Sequence, residues 1–398
     1  MNTRKPDYYD RFHCIADQCS LTCCQEWKIY VDDDTLKRWD GLTIPDDESG
    51  HDLSLTSTVT MREGERVIGL TPDHKCPFLN DQKLCRLVIA HGDSVLSETC
   101  TLFPRQIHEF DAVTEYSLAA CCPAVVDEWN RGCTVTFVEN SQQKNAGQEN
   151  TETQRLKPSS QSDEQMDKLF QLRSQMITLM QNPHYTCTQS LSMIFYLLRD
   201  IYDCEEITEQ ALADFTNDRS LQKLSTAIAR IPSESADSLA ECNELFLDLA
   251  ENYRKEGLYP TWLNPIAEKA EELAEDYDAP SLLPLLEQFH KDMAMHELLF
   301  QNYLTAEFFG SLLLPESDLE NILVAFQWIG MEYAVLQQAL FLRWILDGQT
   351  LTYETIRSYL CVIARMTGYD EADYYEYLEN SFENLIWDWG YFALITPW

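Results

Sequence analysis

No two of the 13 glycines in this 398-residue chain are separated by a single residue, so it contains no G-x-G. That excludes the dinucleotide fingerprint and the glycine-rich loop of doubly wound nucleoside-cofactor enzymes. Gly64 and Gly69 have P-loop spacing, but Leu70 stands where the lysine belongs. Met295-His296-Glu297 begins like a zinc-protease helix and lacks the second histidine, so His296 reads as an ordinary helix residue. No cysteine pair has C-x-x-C spacing, which counts against a dithiol redox protein and against zinc ribbons. Apolar runs stop short of the ~18–20 residues a membrane span needs. The N-terminus has no apolar signal-peptide core, and a cytoplasmic location is expected. Basic residues are scarce: 29 Lys and Arg against 66 Asp and Glu give a formal charge of −37. Such a balance opposes phosphate-backbone binding, so no nucleic-acid partner is expected. A solvated acidic face explains the excess, or else a docking surface for a lysine-bearing protein.

Cysteine is abundant instead. There are 14, of which ten lie at or before Cys133. Four fall in one stretch, Cys14, Cys19, Cys23 and Cys24, with Trp27 just after it. Thiols at this density, in a chain with no sign of an oxidising compartment, point to a soft metal or an iron–sulfur cluster rather than disulfides. Cys19-x₃-Cys23 starts like the radical S-adenosylmethionine triplet, but Glu26 occupies its third position. Cys76, Cys85, Cys100, Cys121 and Cys122 follow, with Pro77, Pro104 and Pro123 beside them. The spacing leans toward one [4Fe–4S] cluster with spare thiols and leaves zinc open. Cys187, Cys204, Cys242 and Cys361 are scattered through helical patterns and read as small buried hydrophobes.

The expected fold class is α-dominated (α+β). Residues 1–138 form a small, irregular, cysteine-rich domain. Residues 139–162 are a polar linker without apolar periodicity, and residues 163–398 form an all-helical domain. Within the first part, Lys28–Val31 reads as a strand and Asp32–Thr35 as the cap of a helix reaching Trp39. Thr58–Ile68 and His108–Leu118 read as hairpins, and Leu84–Ile89 and Ala124–Trp129 as short helices. Within the second, Leu191, Ile194, Phe195, Leu198 and Ile201 keep helical spacing, as do Leu221, Leu224, Ile228 and Ile231. Met293–Leu314 and Leu319–Leu346 are the most apolar segments and are expected at the centre. The final stretch, Ile386–Trp398, is apolar enough to pack on the protein.

Arg11-Phe12-x-Cys14-x₄-Cys19-x₃-Cys23-Cys24-x₂-Trp27, Cys76-Pro77-Phe78-Leu79, Leu84-Cys85, Cys100-x₂-Phe103-Pro104-Arg105 and Cys122-Pro123 together resemble the flagellin lysine-N-methylases. These belong to a broader class of zinc- or iron-chelating proteins with a CxxCxxCC-type motif. The likeness extends to Gln301-Asn302-Tyr303-Leu304 and Phe308-Phe309 in the helical part. The resemblance implies methylation of surface lysine ε-amines on flagellin, with S-adenosylmethionine as donor and an iron–sulfur cluster in the N-terminal part. By position, Cys14, Cys19, Cys23, Cys24, Cys76, Cys85 and Cys100 match the family's cysteines. Cys122 joins them as a further candidate, and Cys121 is its neighbour. Which four bind is left open.

A lysine is protonated at neutral pH, with a reference pKa near ~10.4, and only the free amine attacks a methyl sulfonium. The enzyme must therefore neutralise the amine by desolvation or with a base. Tyr8, Tyr9, Tyr116 and nearby acids are candidates, with plain packing as the alternative for each tyrosine. Arg105 is a candidate partner for the donor's carboxylate, with a structural ion pair as its alternative. The competing function is a non-enzymatic zinc- or iron-binding adaptor or chaperone.

Overall fold

The computed structural model describes residues 2–45, 51–62, 64–141, 161–230, 235–368 and 389–396. In chain order, β1 (Asn2–Pro6) precedes the first cysteine loop. Then come α1 (Asp33–Trp39), β2 (Thr43–Pro45), β3 (Asp52–Ser54), β4 (Val59–Arg62), β5 (Glu65–Ile68), α2 (Arg86–His91) and α3 (Glu98–Leu102). The hairpin β6 (Arg105–Glu109) and β7 (Val113–Leu118) leads to α4 (Pro123–Trp129) and β8 (Phe137–Ser141). The rest is helical: α5 (Gln161–Met180), α6 (Cys187–Cys204), α7 (Glu209–Asp214), α8 (Asp218–Ile228), α9 (Ser235–Lys255) and α10 (Pro260–Glu275). These are followed by α11 (Ala279–Met293), α12 (Glu297–Gly310), α13 (Leu319–Leu346), α14 (Tyr353–Thr367) and α15 (Trp389–Ile395). The α-dominated class and both hairpins agree with the sequence reading. Among the described residues no helix is long and apolar enough to cross a membrane.

Three features differ from expectation. Lys28–Val31 makes only an isolated bridge, Tyr30 to Val67, rather than a strand. The polar stretch starts later than its composition suggests, because Phe137–Ser141 pairs antiparallel with β1; residues 142–160 lie outside the described residues. β1 is itself an addition. It runs parallel to β7 and completes a four-stranded sheet of order β6-β7-β1-β8. A five-residue strand with only Thr3 between charged and polar neighbours carries too little pattern to be read from sequence.

The main core does not divide near residue 138. Tyr8, Phe12, Leu21, Phe110, Val125 and Trp129 share one buried cluster with α5, α12, α13 and α14. Buried polar contacts fix this seam. On β7, Glu115 is held by Arg173 of α5 (2.8 and 2.5 Å), and Arg173 also donates to the Phe309 carbonyl at 2.9 Å. The Asn302 amide donates to the carbonyls of Trp129 (2.9 Å) and Cys133 (2.8 Å), and its oxygen accepts from the Val135 N–H at 2.9 Å. Both amide hydrogens and the oxygen of the Asn302 side chain are thereby partnered inside the core, as burial requires.

The long helix α13 is central because its sequence is apolar nearly all round, which only a buried helix tolerates. Asp318 and Asn321 close its N-terminus as a capping box. Gly330 leaves room for Phe392 of α15: a Cβ there would stand 2.5 Å from the ring. Phe392 and Ile395 are buried, so the described end of the chain packs as its composition suggests; 386–388 and 397–398 lie outside the described residues. The stripe Leu191, Ile194, Phe195, Leu198 and Ile201 is likewise buried, as are Leu221 and Ile228; Ile231 is outside the described residues.

A second, smaller core belongs to the cysteine-rich part. Ile29, Val31, Trp39, Ile44, Leu55, Phe78 and Leu87 form it, together with Cys76. Trp39 donates its indole N–H to the Val95 carbonyl at 2.7 Å. Asp32 ties two helices of this core together. It caps α1 through the Thr35 N–H (2.8 Å) and accepts the Glu98 N–H at the start of α3 (3.1 Å).

Candidate active site

The eight predicted cysteine ligands separate into groups. Cys24, Cys85 and Cys100 pack against the small core that contains Cys76. Each comes from a different segment with its own anchor. The Cys76 N–H donates to the Cys24 carbonyl at 2.8 Å. Cys85 bridges to Leu79 across the Asn80–Lys83 turn. Cys100 sits in the first turn of α3, its N–H donating to the capping Ser97 hydroxyl at 3.2 Å. Burial raises the pKa of Cys76, Cys85 and Cys100, and the charge of Cys24 raises all three further. Cys24 itself is brought down to about 7 by the thiol of Cys23, helped by Thr22 and Arg365, while Cys23 is pushed up by the same contact.

Cys14, Cys19 and Cys122 lie elsewhere. Cys14 is exposed. Cys19 donates to the Leu21 carbonyl at 3.2 Å and shares its surroundings with Arg365, Cys122 and Cys361. The half-buried Arg365 of α14 organises this second group. Its guanidinium donates to the carbonyls of Cys121 (3.1 Å), Thr22 (3.1 Å) and Leu21 (2.9 Å). Burial opposes its charge, yet Tyr259, Cys121, Cys361 and Cys23 around it raise its pKa on balance. Arg357, one face along α14, grips Asp127 with two bonds (3.0 and 2.9 Å) and reaches Ser20 at 3.3 Å. Tyr259 donates through its N–H to the Glu26 carboxylate (3.0 Å) and through its hydroxyl to the Glu26 carbonyl (3.2 Å). The helical part therefore clamps the first cysteine loop at residues 20–26. Cys187, Cys242 and Cys361 are buried as small hydrophobes should be, whereas Cys204 is exposed.

The thiol set fits a thiophilic metal or cluster in donor chemistry: four segments bring four thiols to one small core, and ligation would relieve the cost of ionising them there. Among the described residues, no three His, Cys, Asp or Glu side chains already converge in the geometry that holds an ion.

Beside this core lies a cavity of about 310 Å³, at the seam between the cysteine-rich and helical parts. Trp27 separates the two. Its indole N–H donates to the Cys23 carbonyl, its ring packs on the thiol core, and it stands 5.1 Å from the Phe103 ring. Phe103, Trp328 and Ile329 give the cavity apolar walls, and Arg105, Cys121 and Arg365 line it as well. Arg105 stacks over the Phe12 ring at 5.2 Å. Among the described residues it has no carboxylate partner, so the structural ion pair weighed from sequence is absent there.

Sequence reading missed two carboxylates in the lining, Glu307 of α12 and Glu332 of α13. Glu332 is 8% exposed; the hydroxyls of Tyr303 and Thr367 donate to its two oxygens. Glu307 receives one bond, from the Ser311 hydroxyl at 2.9 Å. Burial raises the pKa of both, and the Glu332 charge adds to the rise at Glu307, which reaches about 8. Neither has a basic partner among the described residues. The sequence signal was available: Glu332 is the sole charge in the interior of α13, between Glu320 and Arg343. Of the tyrosines weighed as bases, Tyr8 packs against Trp129 (6.4 Å) and Tyr9 against Tyr116 (5.6 Å).

Known proteins share this chain's sequence in two ways. The flagellar biosynthetic protein FliU of Salmonella muenchen is 29% identical over 125 residues, 30% of this chain and 72% of that protein. The lysine-N-methylases of Salmonella typhimurium and Salmonella choleraesuis are 32% and 28% identical over 124 and 125 residues, 30% of this chain in each case. The match spans only 30% of the length of each of those two methylases. No solved structure matches. The model of the FliB lysine N-methylase C-terminal domain matches residues 173–395, more than half of the sequence and the part that supplies Glu307, Glu332 and Arg365. The chain belongs to the FliB lysine N-methylase family.

Proposed function

We propose that the protein is a protein-lysine N-methyltransferase that works in the seam cavity, taking surface lysines of flagellin as substrate and S-adenosylmethionine as donor. The observation that carries this reading is one cavity holding two carboxylates that have no basic partner among the described residues and an arginine that has no acidic one among them. A lysine ammonium suits the first, and the carboxylate of an amino-acid donor suits Arg105. The aromatic faces of Trp27, Phe103 and Trp328 favour cations, which both the ammonium and a sulfonium are. Closing such a cavity around the lysine desolvates it, which favours the neutral, nucleophilic amine. The relatives, a lysine-N-methylase and a flagellar biosynthetic protein, support the choice of substrate. A cytoplasmic site of action is part of the reading.

Cys24, Cys76, Cys85 and Cys100 are the residues that would hold the iron–sulfur cluster, with zinc as the alternative. Bound there, the group would supply Lewis-acid or electron-transfer chemistry. The chain's own contribution at that wall is to fix Trp27 and Phe103 against the cavity. The test is incubation of anaerobically purified protein with flagellin and S-adenosylmethionine, followed by mass analysis. Increments of ~14 Da on lysines are expected. Unmodified flagellin, with the protein carrying its metal, would leave the adaptor reading instead.

A further inference from the structure

We propose that Glu307 and Glu332 act as one proton-sharing pair for the lysine substrate, Glu332 as the fixed counter-ion of the ammonium and Glu307 as the base that takes its proton. This rests on the methyltransferase reading and assigns the catalytic groups within it. Both carboxylates line the same cavity, on facing helices α12 and α13. Their surroundings differ in a way that divides the roles. Both oxygens of Glu332 accept hydroxyl hydrogens, from Tyr303 and Thr367, which favours its charged form and holds its position. Glu307 has a single, half-buried contact to Ser311, so it is the member whose proton is easier to place and remove. Two carboxylates on one cavity, Glu332 buried and Glu307 half-buried, resist ionising together without a cation between them, so the free pair tends to retain one proton. The other ionisable groups facing the pair are Tyr8, Tyr303, Cys121, Arg105 and Arg365. Arg365 is committed to three backbone carbonyls, and Arg105 lies over Phe12, so neither supplies the missing cation.

Glu307 first loses its proton to solvent. The lysine ammonium then passes one N–H proton to the Glu307 carboxylate. The freed lone pair on Nζ attacks the methyl carbon of the sulfonium, the C–S bond breaks, and its electron pair stays on sulfur. The products are a methylated ammonium, a neutral thioether and protonated Glu307, which is reset by solvent.

The experiment compares wild type, Glu307→Gln and Glu332→Gln by the pH dependence of kcat/KM with flagellin, alongside melting with and without n-butylammonium as a small lysine mimic. For wild type, kcat/KM should rise through an inflection near 8. Glu307→Gln should lose roughly 100-fold or more and lack that inflection. Glu332→Gln should move the inflection down by about one unit or more, because the charge that holds Glu307 protonated is gone. A structural role alone predicts no such downward shift. n-Butylammonium should raise the melting temperature of wild type but not of Glu332→Gln, and n-butanol should raise neither. Full activity and an unmoved inflection in both variants, or equal ammonium binding by all three proteins, overturns the pairing while leaving methyl transfer intact. Absence of methyl transfer by wild type defeats the methyltransferase reading itself, and the n-butylammonium comparison still decides the pairing.

Discussion

Arg365 ties the helical part to the first cysteine loop through backbone carbonyls, and replacing it with lysine isolates that role. The guanidinium spreads three donors to the carbonyls of Leu21, Thr22 and Cys121. A lysine keeps the charge but, being a compact point donor, serves about one of these carbonyls. Two part-buried acceptors are then left without their donors. Hydrogen bonds to charged groups contribute about 1.5–3 kcal/mol each, so Arg365→Lys should lose about 3 kcal/mol, a large share of a typical folding free energy. The loss should also have an address. Residues 20–24 lose their clamp, so Cys19, Cys23 and Cys121 should alkylate faster, while Cys187 and Cys242, buried far along the chain, should not change. Urea unfolding under reducing conditions gives the stability, and mass-mapped alkylation gives the address. Arg357→Lys is the control, since its Asp127 contact is partly exposed and a loss of about 1 kcal/mol is expected. A destabilisation of Arg365→Lys below about 0.5 kcal/mol, with unchanged alkylation, would refute the clamp.

Other consequences follow from single residues. Glu307 holds its proton up to about 8 in the folded state but releases it near 4.5 when unfolded, so the folded state binds the extra proton between those values. Stability should therefore fall as pH rises from 4.5 to 8 and level off above, and Glu307→Gln should flatten that slope in thermal melts. Gly330→Ala places a methyl against Phe392 and should cost about 1–3 kcal/mol by overpacking, with α15 loosened in hydrogen exchange. Arg173→Met removes the close partner of buried Glu115 and leaves it only Arg4, at 3.6 Å, so about 3 kcal/mol should be lost in urea unfolding. Cys76→Ser should abolish bound iron or zinc by elemental analysis, whereas Cys14→Ser, at an exposed thiol outside the core set, should retain it.

Local pattern carried much of this fold. The hairpins at Val59–Ile68 and Arg105–Leu118 and the buried faces of α6, α8 and α13 follow from alternation and helical spacing alone. What escaped was set by distant partners. β1 becomes a strand because β7 and β8 flank it, not because of its own five residues. The eight cysteines looked like one set in sequence, yet the fold sends Cys24, Cys76, Cys85 and Cys100 to one core and Cys19 and Cys122 to the surroundings of Arg365. Spacing along the chain says nothing of which loop α14 will press. Glu307 and Glu332 were visible as charges inside apolar helices, but only tertiary packing turns them toward a common cavity.

The central claim, that the seam cavity is where donor and lysine meet, is tested most directly by hydrogen–deuterium exchange of the full chain with and without S-adenosylhomocysteine. Slowed exchange is expected at residues 103–106, 119–121 and 364–368, which line that cavity. Protection confined to the separate helical cavity around Thr186, Ser238 and His290, or no protection anywhere, would contradict it.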